Sequence, residues 1–169
     1  MKIPYINLKK QINLEKNKIL KVIKRVISSG QWVGGSEVDL FEKNISKICN
    51  TKYRVSLNSG TDALTLALHL LGVRKGDEVI TPPNSFVAST AVIVHLGAKP
   101  IFVDVKSDQN IDEQQIEKKI SKKTKAIMPV HLTGRMCDMD KIMMISKKHN
   151  IPVIEDCAQS IMSKYKKKM

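Results

Sequence analysis

Apolar residues recur at helical spacing near the start of the chain. Ile12, Ile19 and Ile23 lie seven and four residues apart, with charged and polar residues between them. This spacing places them on one side of a helix, so residues 12–27 are predicted to form an amphipathic helix. Gly30 follows two serines, and a glycine just after the last apolar position is a typical helix stop.

A glycine-rich loop follows, and it carries Trp32, the only tryptophan of the chain. A tryptophan beside glycines either faces a ligand or anchors the loop. Ser36 and Asp39 have the spacing of a capping box, so a second helix is predicted to begin there. This helix is expected to bury Val38, Phe41, Ile45 and Ile48.

Beyond this helix, short apolar runs alternate with helical patterns. Strands are predicted at residues 54–57, 78–81, 99–105, 124–130 and 152–155, and helices at residues 61–71, 85–96, 112–120 and 138–149. Alternation at this period predicts right-handed crossovers. The fold class is therefore α/β, a mostly parallel sheet with helices on both faces.

The same pattern suggests how the chain is organised. Residues 1–30 are expected to form an N-terminal arm and the amphipathic helix, and residues 31–163 one large domain. Residues 164–169 are a basic run without an apolar period, so a frayed tail is predicted there.

Composition fits a globular protein, with 42% hydrophobic and 27% charged residues among 169. The first residues lack the apolar core of a signal peptide, and no apolar run is long enough to span a bilayer. A cytoplasmic location is therefore expected. The three cysteines form no C-x-x-C pair, so reduced thiols are predicted and no metal site.

The formal net charge of +13 raises the question of nucleic acid. Most lysines lie on predicted outer helix faces, and only 4% of residues are aromatic. Stacking platforms for bases are therefore scarce. The charge favours a solvated lysine surface, and the alternatives are steering of an anionic ligand and binding of nucleic acid. Neither a nucleic-acid nor a membrane partner is expected.

Asp156 ends the last apolar run, at the predicted carboxyl end of a strand. Open α/β sheets bind ligands at this edge. A carboxylate there can meet a ribose hydroxyl, a metal ion or the protonated nitrogen of a heteroaromatic cofactor. The alternative is an acid that caps the next helix.

Three further loops follow predicted strands. Gly60 and Thr61 begin a predicted helix, and the backbone amides at its start could hold an anion. The alternative is that this loop is a simple N-cap. The negative charge of Asp62 in the first turn disfavours a bound anion. Phe86 could stack on a flat ligand or act as a hydrophobic staple. His131 is either a proton carrier or, more commonly, a hydrogen-bonded loop histidine.

Taken together, several segments resemble the sugar aminotransferases of the DegT/DnrJ/StrS family, which are fold-type I enzymes using pyridoxal phosphate. The resemblance runs in unbroken order from about Ile3 to about Tyr165. It rests on Gly34-Gly35 with Phe41-Glu42, and on residues 58–64 (NSGTDAL), 76–80 (GDEVI), 85–90 (SFVAST), 97–105 (GAKPIFVDV) and 154–160 (IEDCAQS).

The resemblance assigns roles that the residues alone leave open. It implies that Gly60 and Thr61 hold the cofactor phosphate, that Phe86 stacks on the pyridine ring, and that Asp156 pairs with the pyridinium nitrogen. Gln159 would contact the cofactor beside Asp156. The loop of Trp32 resembles the family segment near the substrate.

The reaction that the resemblance implies moves an amino group, with glutamate as the expected donor, to a keto group of a nucleotide-linked sugar. Such reactions belong to amino-sugar or surface-polysaccharide biosynthesis. Members of the family are homodimers whose subunits complete each other's active sites.

The chain also departs from the family. The lysine that forms a Schiff base with the cofactor lies well downstream of the Asp156 motif, on a segment that this chain does not contain. We therefore expect an incomplete large domain of the aspartate aminotransferase-like fold, without a catalytic residue of its own and inactive by itself. The alternative is a non-catalytic remnant or interaction domain that retains the fold.

Overall fold

The structure is a computed structural model, and it describes residues 3–166. The chain divides into two compact units between Ser56 and Leu57. This division falls later than the boundary expected after Gly30, because the second helix groups with the first. Within the described residues, no helix combines the length and the apolar character that a membrane crossing requires.

The first unit contains two helices, α1 (Leu8–Ser29) and α2 (Ser36–Cys49). Helix α1 begins earlier than its apolar period because the Asn7 side chain caps it, accepting a hydrogen bond from the backbone N–H of Lys10 at 3.0 Å. It ends at Gly30, whose φ of 69° lies in the left-handed region. The predicted amphipathic helix is therefore confirmed.

Helix α2 differs from its prediction in two respects. Its N-cap is Gly35, with a φ of 89° and no side-chain cap, so the predicted capping box of Ser36 and Asp39 is wrong. Its apolar positions are exposed or half-buried rather than buried. Neither α1 nor α2 contains a buried residue.

The predicted strand at residues 54–57 is not present, since this segment has no secondary structure. An extended segment becomes a strand only through pairing with a neighbour. Here the backbone N–H of Ser56 instead donates to a carboxylate oxygen of Glu42 at 2.7 Å.

The second unit contains a three-stranded sheet in the order β2-β1-β3. The strands are β1 (Glu78–Thr81), β2 (Lys99–Phe102) and β3 (Thr124–Ile127). Both pairings are parallel, with Ile80 opposite Ile101 on one side and Ile127 on the other. The predicted parallel sheet is confirmed, with shorter strands than the apolar runs suggest.

The predicted strand at 152–155 is reduced to two parallel bridges, Ile127 with Val153 and Val130 with Asp156. The backbone N–H of Asp156 donates to the carbonyl of Pro129 at 3.0 Å. Pro129 and Pro152 have no N–H, so the ladder cannot be continuous at these residues. The segment nevertheless follows the edge of β3 and brings Asp156 beside Val130.

Helices cover both faces of this sheet. They are α3 (Gly60–Leu70), α4 (Val87–His95), α5 (Glu113–Ile116), continued by a 3-10 turn at Glu117–Lys119, and α6 (Met139–His149). Successive residues of a strand point to opposite faces. Val79 accordingly packs in one cluster with residues of α3 and α4, and Ile80 in a second cluster with residues of α5 and α6.

The predicted frayed tail is ordered where the structure describes it. The hydroxyl of Tyr165 donates to Asp138 Oδ1 at 3.0 Å, and the Tyr165 side chain packs against the cluster that contains Ile80. Lys166 forms an ion pair with Asp140. The amphipathic ring of tyrosine explains this anchoring. The predicted tail residues 167–169 lie outside the described residues.

Candidate functional site

Asp156 is a buried carboxylate at the carboxyl edge of the sheet, with 8% of its surface exposed. Its Oδ2 accepts a hydrogen bond from the Ser89 hydroxyl at 2.9 Å, and its Oδ1 accepts one from the backbone N–H of Ala158 at 3.1 Å. Both oxygens are therefore oriented by donors. Charge-assisted bonds of this kind are the stronger class of protein hydrogen bonds.

Asp156 does not cap a helix. No helix follows it in residues 157–166, which form turns and a short bridge. The bond from Ala158, two residues on, is an Asx turn, in which the side chain closes a local turn. Of the two alternatives, this leaves a carboxylate at the edge where α/β sheets bind ligands.

Ser89 connects Asp156 to helix α4. It lies in the first turn of α4, with 1% of its surface exposed, and the Ser85 hydroxyl donates to its Oγ at 2.8 Å. Ser89 does not stand out in the sequence. A small hydroxyl three residues after Phe86 was the only local signal, and its partner lies 67 positions away.

Phe86 is the N-cap residue of α4, and 72% of its surface is exposed. Its carbonyl accepts the backbone N–H of Ser89 at 3.1 Å. The ring thus projects one helical turn before the serine that bonds Asp156. The exposure does not fit a staple buried against the next turn, and it leaves the ring face accessible.

Gly60 and Thr61 are the first residues of α3, where backbone N–H groups have no intrahelical acceptor. Ser59 is the N-cap, and its hydroxyl also donates to Asp62 Oδ2 at 2.8 Å. The Asp62 carboxylate is therefore turned towards Ser59. A side chain built at Gly60 would meet nothing within 4 Å, so the helix start is open.

Gln159 is tied to the loop after β3. Its side-chain oxygen accepts the backbone N–H of Thr133 at 2.8 Å, and Ser163 Oγ donates to the carbonyl of Gly134 at 2.9 Å. These bonds join the turn after Asp156 to the loop that contains His131. The side-chain NH2 group of Gln159 is a hydrogen-bond donor by its chemistry.

His131 is a fully buried, hydrogen-bonded loop histidine, the commoner of its two predicted alternatives. Its Nδ1 accepts the backbone N–H of Cys137 at 3.1 Å, and its Nε2 lies 2.9 Å from Glu155 Oε2. Burial lowers the pKa of His131, and the Glu155 carboxylate beside Nε2 acts in the opposite direction.

The ligand atoms of His131, Glu155 and Cys157 lie within 4.8 Å of one another, an arrangement that could suggest a metal site. The hydrogen bond to Nδ1 requires a lone pair on that nitrogen. The ring proton therefore lies on Nε2, the nitrogen that faces Glu155, and this nitrogen has no lone pair for a metal. The trio is better described as a hydrogen-bonded support next to Asp156.

Trp32 lies in the loop between α1 and α2, with 75% of its surface exposed. This exposure does not fit a packed loop anchor. Trp32 belongs to the first compact unit, whereas the other candidate residues belong to the second. The roles that the resemblance assigns to Gly60, Thr61, Phe86, Asp156, Gln159 and Trp32 stay predictions.

In chemical terms, the second unit offers a fixed buried carboxylate, an exposed aromatic ring and an open helix start. Helices α3 and α4 share one hydrophobic cluster on the same face of the sheet. Such a set can bind a flat, charged heteroaromatic compound that carries an anionic group.

Known proteins with similar sequences include sugar transaminases. The chain is 45% identical over 160 residues to dTDP-3-amino-3,6-dideoxy-alpha-D-galactopyranose transaminase of Aneurinibacillus thermoaerophilus, covering 94% of the chain and 44% of that protein. It is 44% identical over 167 residues to UDP-2-acetamido-2-deoxy-3-oxo-D-glucuronate aminotransferase of Pseudomonas aeruginosa, covering 98% of the chain and 46% of that protein. The chain thus spans less than half the length of these relatives.

A similar solved structure is that of NtdA from Bacillus subtilis with bound cofactor PMP. It superimposes with a TM-score of 0.91 at 38% identity, over 95% of the chain and 37% of that structure. A model of the DegT/DnrJ/EryC1/StrS aminotransferase family matches residues 13–169. This chain belongs to the DegT/DnrJ/EryC1/StrS aminotransferase family.

Proposed function

We propose that this chain is the cofactor-binding part of a pyridoxal phosphate-dependent aminotransferase that acts on a nucleotide-linked keto-sugar. The observation that carries the proposal is the Asp156 carboxylate, buried at the sheet edge and oriented by Ser89 and Ala158. A buried carboxylate with lone pairs to spare is suited to a protonated ring nitrogen.

The donor set of the second unit fits this cofactor. The N–H groups of Gly60 and Thr61 would hold its phosphate at the start of α3. Phe86, whose ring is exposed, would stack on the pyridine ring. Gln159 would present its NH2 group beside Asp156. When bound, the cofactor supplies an electron sink for the amino-group transfer.

Asp156 would keep the ring nitrogen protonated. A carboxylate paired with a cation favours the charged form of that cation. The burial of Asp156 strengthens this effect, because few waters compete for its oxygens. The His131 and Glu155 pair supports the backbone on either side, since the N–H of His131 donates to the carbonyl of Asp156 at 3.1 Å.

The substrate class is inferred from the relatives, whose names specify dTDP-linked and UDP-linked sugars. We infer a nucleotide-linked sugar, with glutamate as the amino donor and Trp32 on the substrate side. The role would lie in amino-sugar or polysaccharide biosynthesis in the cytoplasm. A second subunit would complete the site in a homodimer.

We further propose that these 169 residues bind the cofactor but do not transfer amino groups when assayed alone. The family's catalytic lysine follows the Asp156 motif at a distance that Lys164 and Lys166 do not meet. Binding and turnover are thus separable for this chain. An inactive chain that binds the cofactor fits the proposal, whereas a non-catalytic interaction domain would bind no cofactor.

The test is to titrate the purified chain with pyridoxal phosphate and follow Trp32 fluorescence and cofactor absorbance. Asp156→Ala should weaken binding at least about tenfold, since it removes a charged hydrogen bond. Asp39→Asn, which changes an exposed acid of α2, is the control. Absence of binding by the unchanged chain would overturn the proposed function. Product from glutamate and a keto-sugar nucleotide would overturn only the inactivity.

A further inference from the structure

A line of hydroxyl groups leads from the start of α4 to the buried carboxylate. Ser85 Oγ lies 2.8 Å from Ser89 Oγ, which lies 2.9 Å from Asp156 Oδ2. We propose that Ser89 is a positioning residue that fixes the rotation of the Asp156 carboxylate. The proposal rests on the proposed function, in which Asp156 faces the ring nitrogen of the cofactor.

The direction of these bonds follows from the groups themselves. An ionised carboxylate only accepts, so the single proton of the Ser89 hydroxyl points to Asp156. Ser89 Oγ can then accept from Ser85. The Ser85 hydroxyl has a second acceptor, the carbonyl of Phe86 at 3.2 Å. Ser85 therefore supports the line less firmly than Ser89 does.

The two donors to Asp156 act on different oxygens. Ala158 holds Oδ1 through the backbone, and Ser89 holds Oδ2 through a side chain of another element. With one bond on each oxygen, the carboxylate plane cannot turn without breaking a bond. Each oxygen keeps a lone pair, so one can still accept a proton-bearing ring nitrogen.

Because Ser89 and Asp156 are buried, a water molecule cannot easily take over the hydrogen bond that the Ser89 hydroxyl donates to Asp156. Ser89 is 1% exposed and Asp156 is 8% exposed. Loss of the hydroxyl would leave Oδ2 without a donor among the residues that the structure describes, in a place that solvent barely reaches. Only the Ala158 bond would then orient the carboxylate. The expected consequence is a carboxylate that rotates and a weaker pairing with the ring nitrogen.

The first test needs no cofactor. Water exchange of the Ala158 amide, measured by NMR on the full chain, reports how firmly Asp156 Oδ1 is held. Ser89→Ala should speed this exchange about tenfold, the effect of weakening one charge-assisted bond. Ser89→Thr, which keeps a hydroxyl, should restore the slow exchange. Ser85→Ala should give a smaller change.

Ser146→Ala is the matched control. Ser146 is also buried and donates to the carbonyl of Ile151 at 2.7 Å, whereas the Asp156 carboxylate is bonded by Ser89 and Ala158. It should lower stability without changing the Ala158 exchange. Equal exchange in Ser89→Ala and the unchanged chain would overturn the proposal. If Ser89→Ala does not fold, Ser85→Ala takes its place in the same measurement: faster Ala158 exchange than in the unchanged chain supports the proposal, and equal exchange overturns it.

The second test uses pyridoxal phosphate labelled with 15N in the ring. In the unchanged chain the nitrogen shift should be that of a protonated ring. Ser89→Ala should move it towards the neutral value and raise the dissociation constant. An unmoved shift in Ser89→Ala contradicts the positioning role. If the unchanged chain does not bind pyridoxal phosphate, the proposed function is contradicted. The Ala158 exchange still tests the positioning role of Ser89 in that case.

Discussion

Glu113 is a carboxylate buried between two lysines. Its side chain is 3% exposed, Lys106 Nζ lies 2.7 Å from Oε2, and Lys141 Nζ lies 2.8 Å from Oε1. Lys141 also pairs with Asp138 at 3.2 Å, the residue that binds the Tyr165 hydroxyl. At the residue scale, this network joins α5, α6 and the last described residues of the chain.

Glu113→Gln should lower the free energy of unfolding by about 2 kcal/mol, because it leaves two ammonium groups without their carboxylate. This is less than the ~3–5 kcal/mol lost when a fully buried pair is broken, since both lysines reach solvent. Urea unfolding at neutral pH measures the loss. Glu117→Gln, at an exposed acid paired with Lys148 and His149, is the control and should change little. Equal effects of the two variants would contradict the prediction.

The same network predicts a dependence of stability on pH. Burial raises the pKa of Glu113, but its bonds with Lys106 and Lys141 outweigh burial and lower the pKa below 4.5. A lowered pKa contributes stability above 4.5 that is lost as pH falls through the folded-state value.

Unfolding midpoints in urea between about pH 3 and pH 7 should therefore decline on the acid side, and Glu113→Gln should flatten that decline. Asp138 acts in the same direction. Burial raises its pKa, and bonds with Tyr165 and Lys141 lower it overall. A decline of the same steepness in Glu113→Gln would show that Glu113 is not its source.

At the scale of elements, helix ends depend on backbone geometry that glycine permits. Gly97 follows α4 with a φ of 73°, and its N–H donates to the carbonyl of Val94 at 2.9 Å. A Cβ at Gly97 would lie 3.2 Å from Lys75 Cα and 3.1 Å from Lys75 Cβ. Backbone atoms cannot move aside as a flexible side-chain end can.

Gly97→Ala should therefore lower the free energy of unfolding by more than the ~1 kcal/mol that left-handed strain alone costs. Gly72→Ala is the matched control, since Gly72 has a φ of 81° but nothing within 4 Å of a new Cβ. Urea unfolding of both variants separates the cost of a positive φ from the cost of the steric clash with Lys75. If Gly97→Ala lowers the free energy of unfolding no more than Gly72→Ala does, Lys75 moves aside without a measurable cost.

The elements also show what sequence could and could not predict. Helical spacing and capping residues are local, so α1, α3, α4 and α6 were predicted within a few residues. The strand predicted at residues 54–57 is absent, because strand formation depends on pairing with a neighbour that the described chain does not place beside it. Ser89 was missed for the same reason, since its bond to Asp156 depends on tertiary structure.

At the scale of the whole molecule, the charge of +13 does not by itself make a nucleic-acid surface. We therefore expect the chain not to show the tight, salt-sensitive binding to generic duplex DNA that is typical of nucleic-acid-binding proteins. Fluorescence anisotropy with a labelled duplex in low and moderate salt measures this. Tight binding that falls linearly with the logarithm of salt concentration would contradict the prediction.

The two compact units differ in how their helices are buried. Helices α1 and α2 contain no buried residue, whereas both hydrophobic clusters belong to the second unit. Local opening is easiest where few apolar groups are buried.

Amides of α1 and α2 should therefore exchange with solvent deuterium at least about tenfold faster than those of β1 and β3, which lie in the core. Hydrogen exchange with peptide-level mass spectrometry measures this difference. Equal protection of α1 and β1 would mean that the apolar residues of α1 are covered in solution, and a mass measurement under the same conditions would tell whether a second copy of the chain covers them.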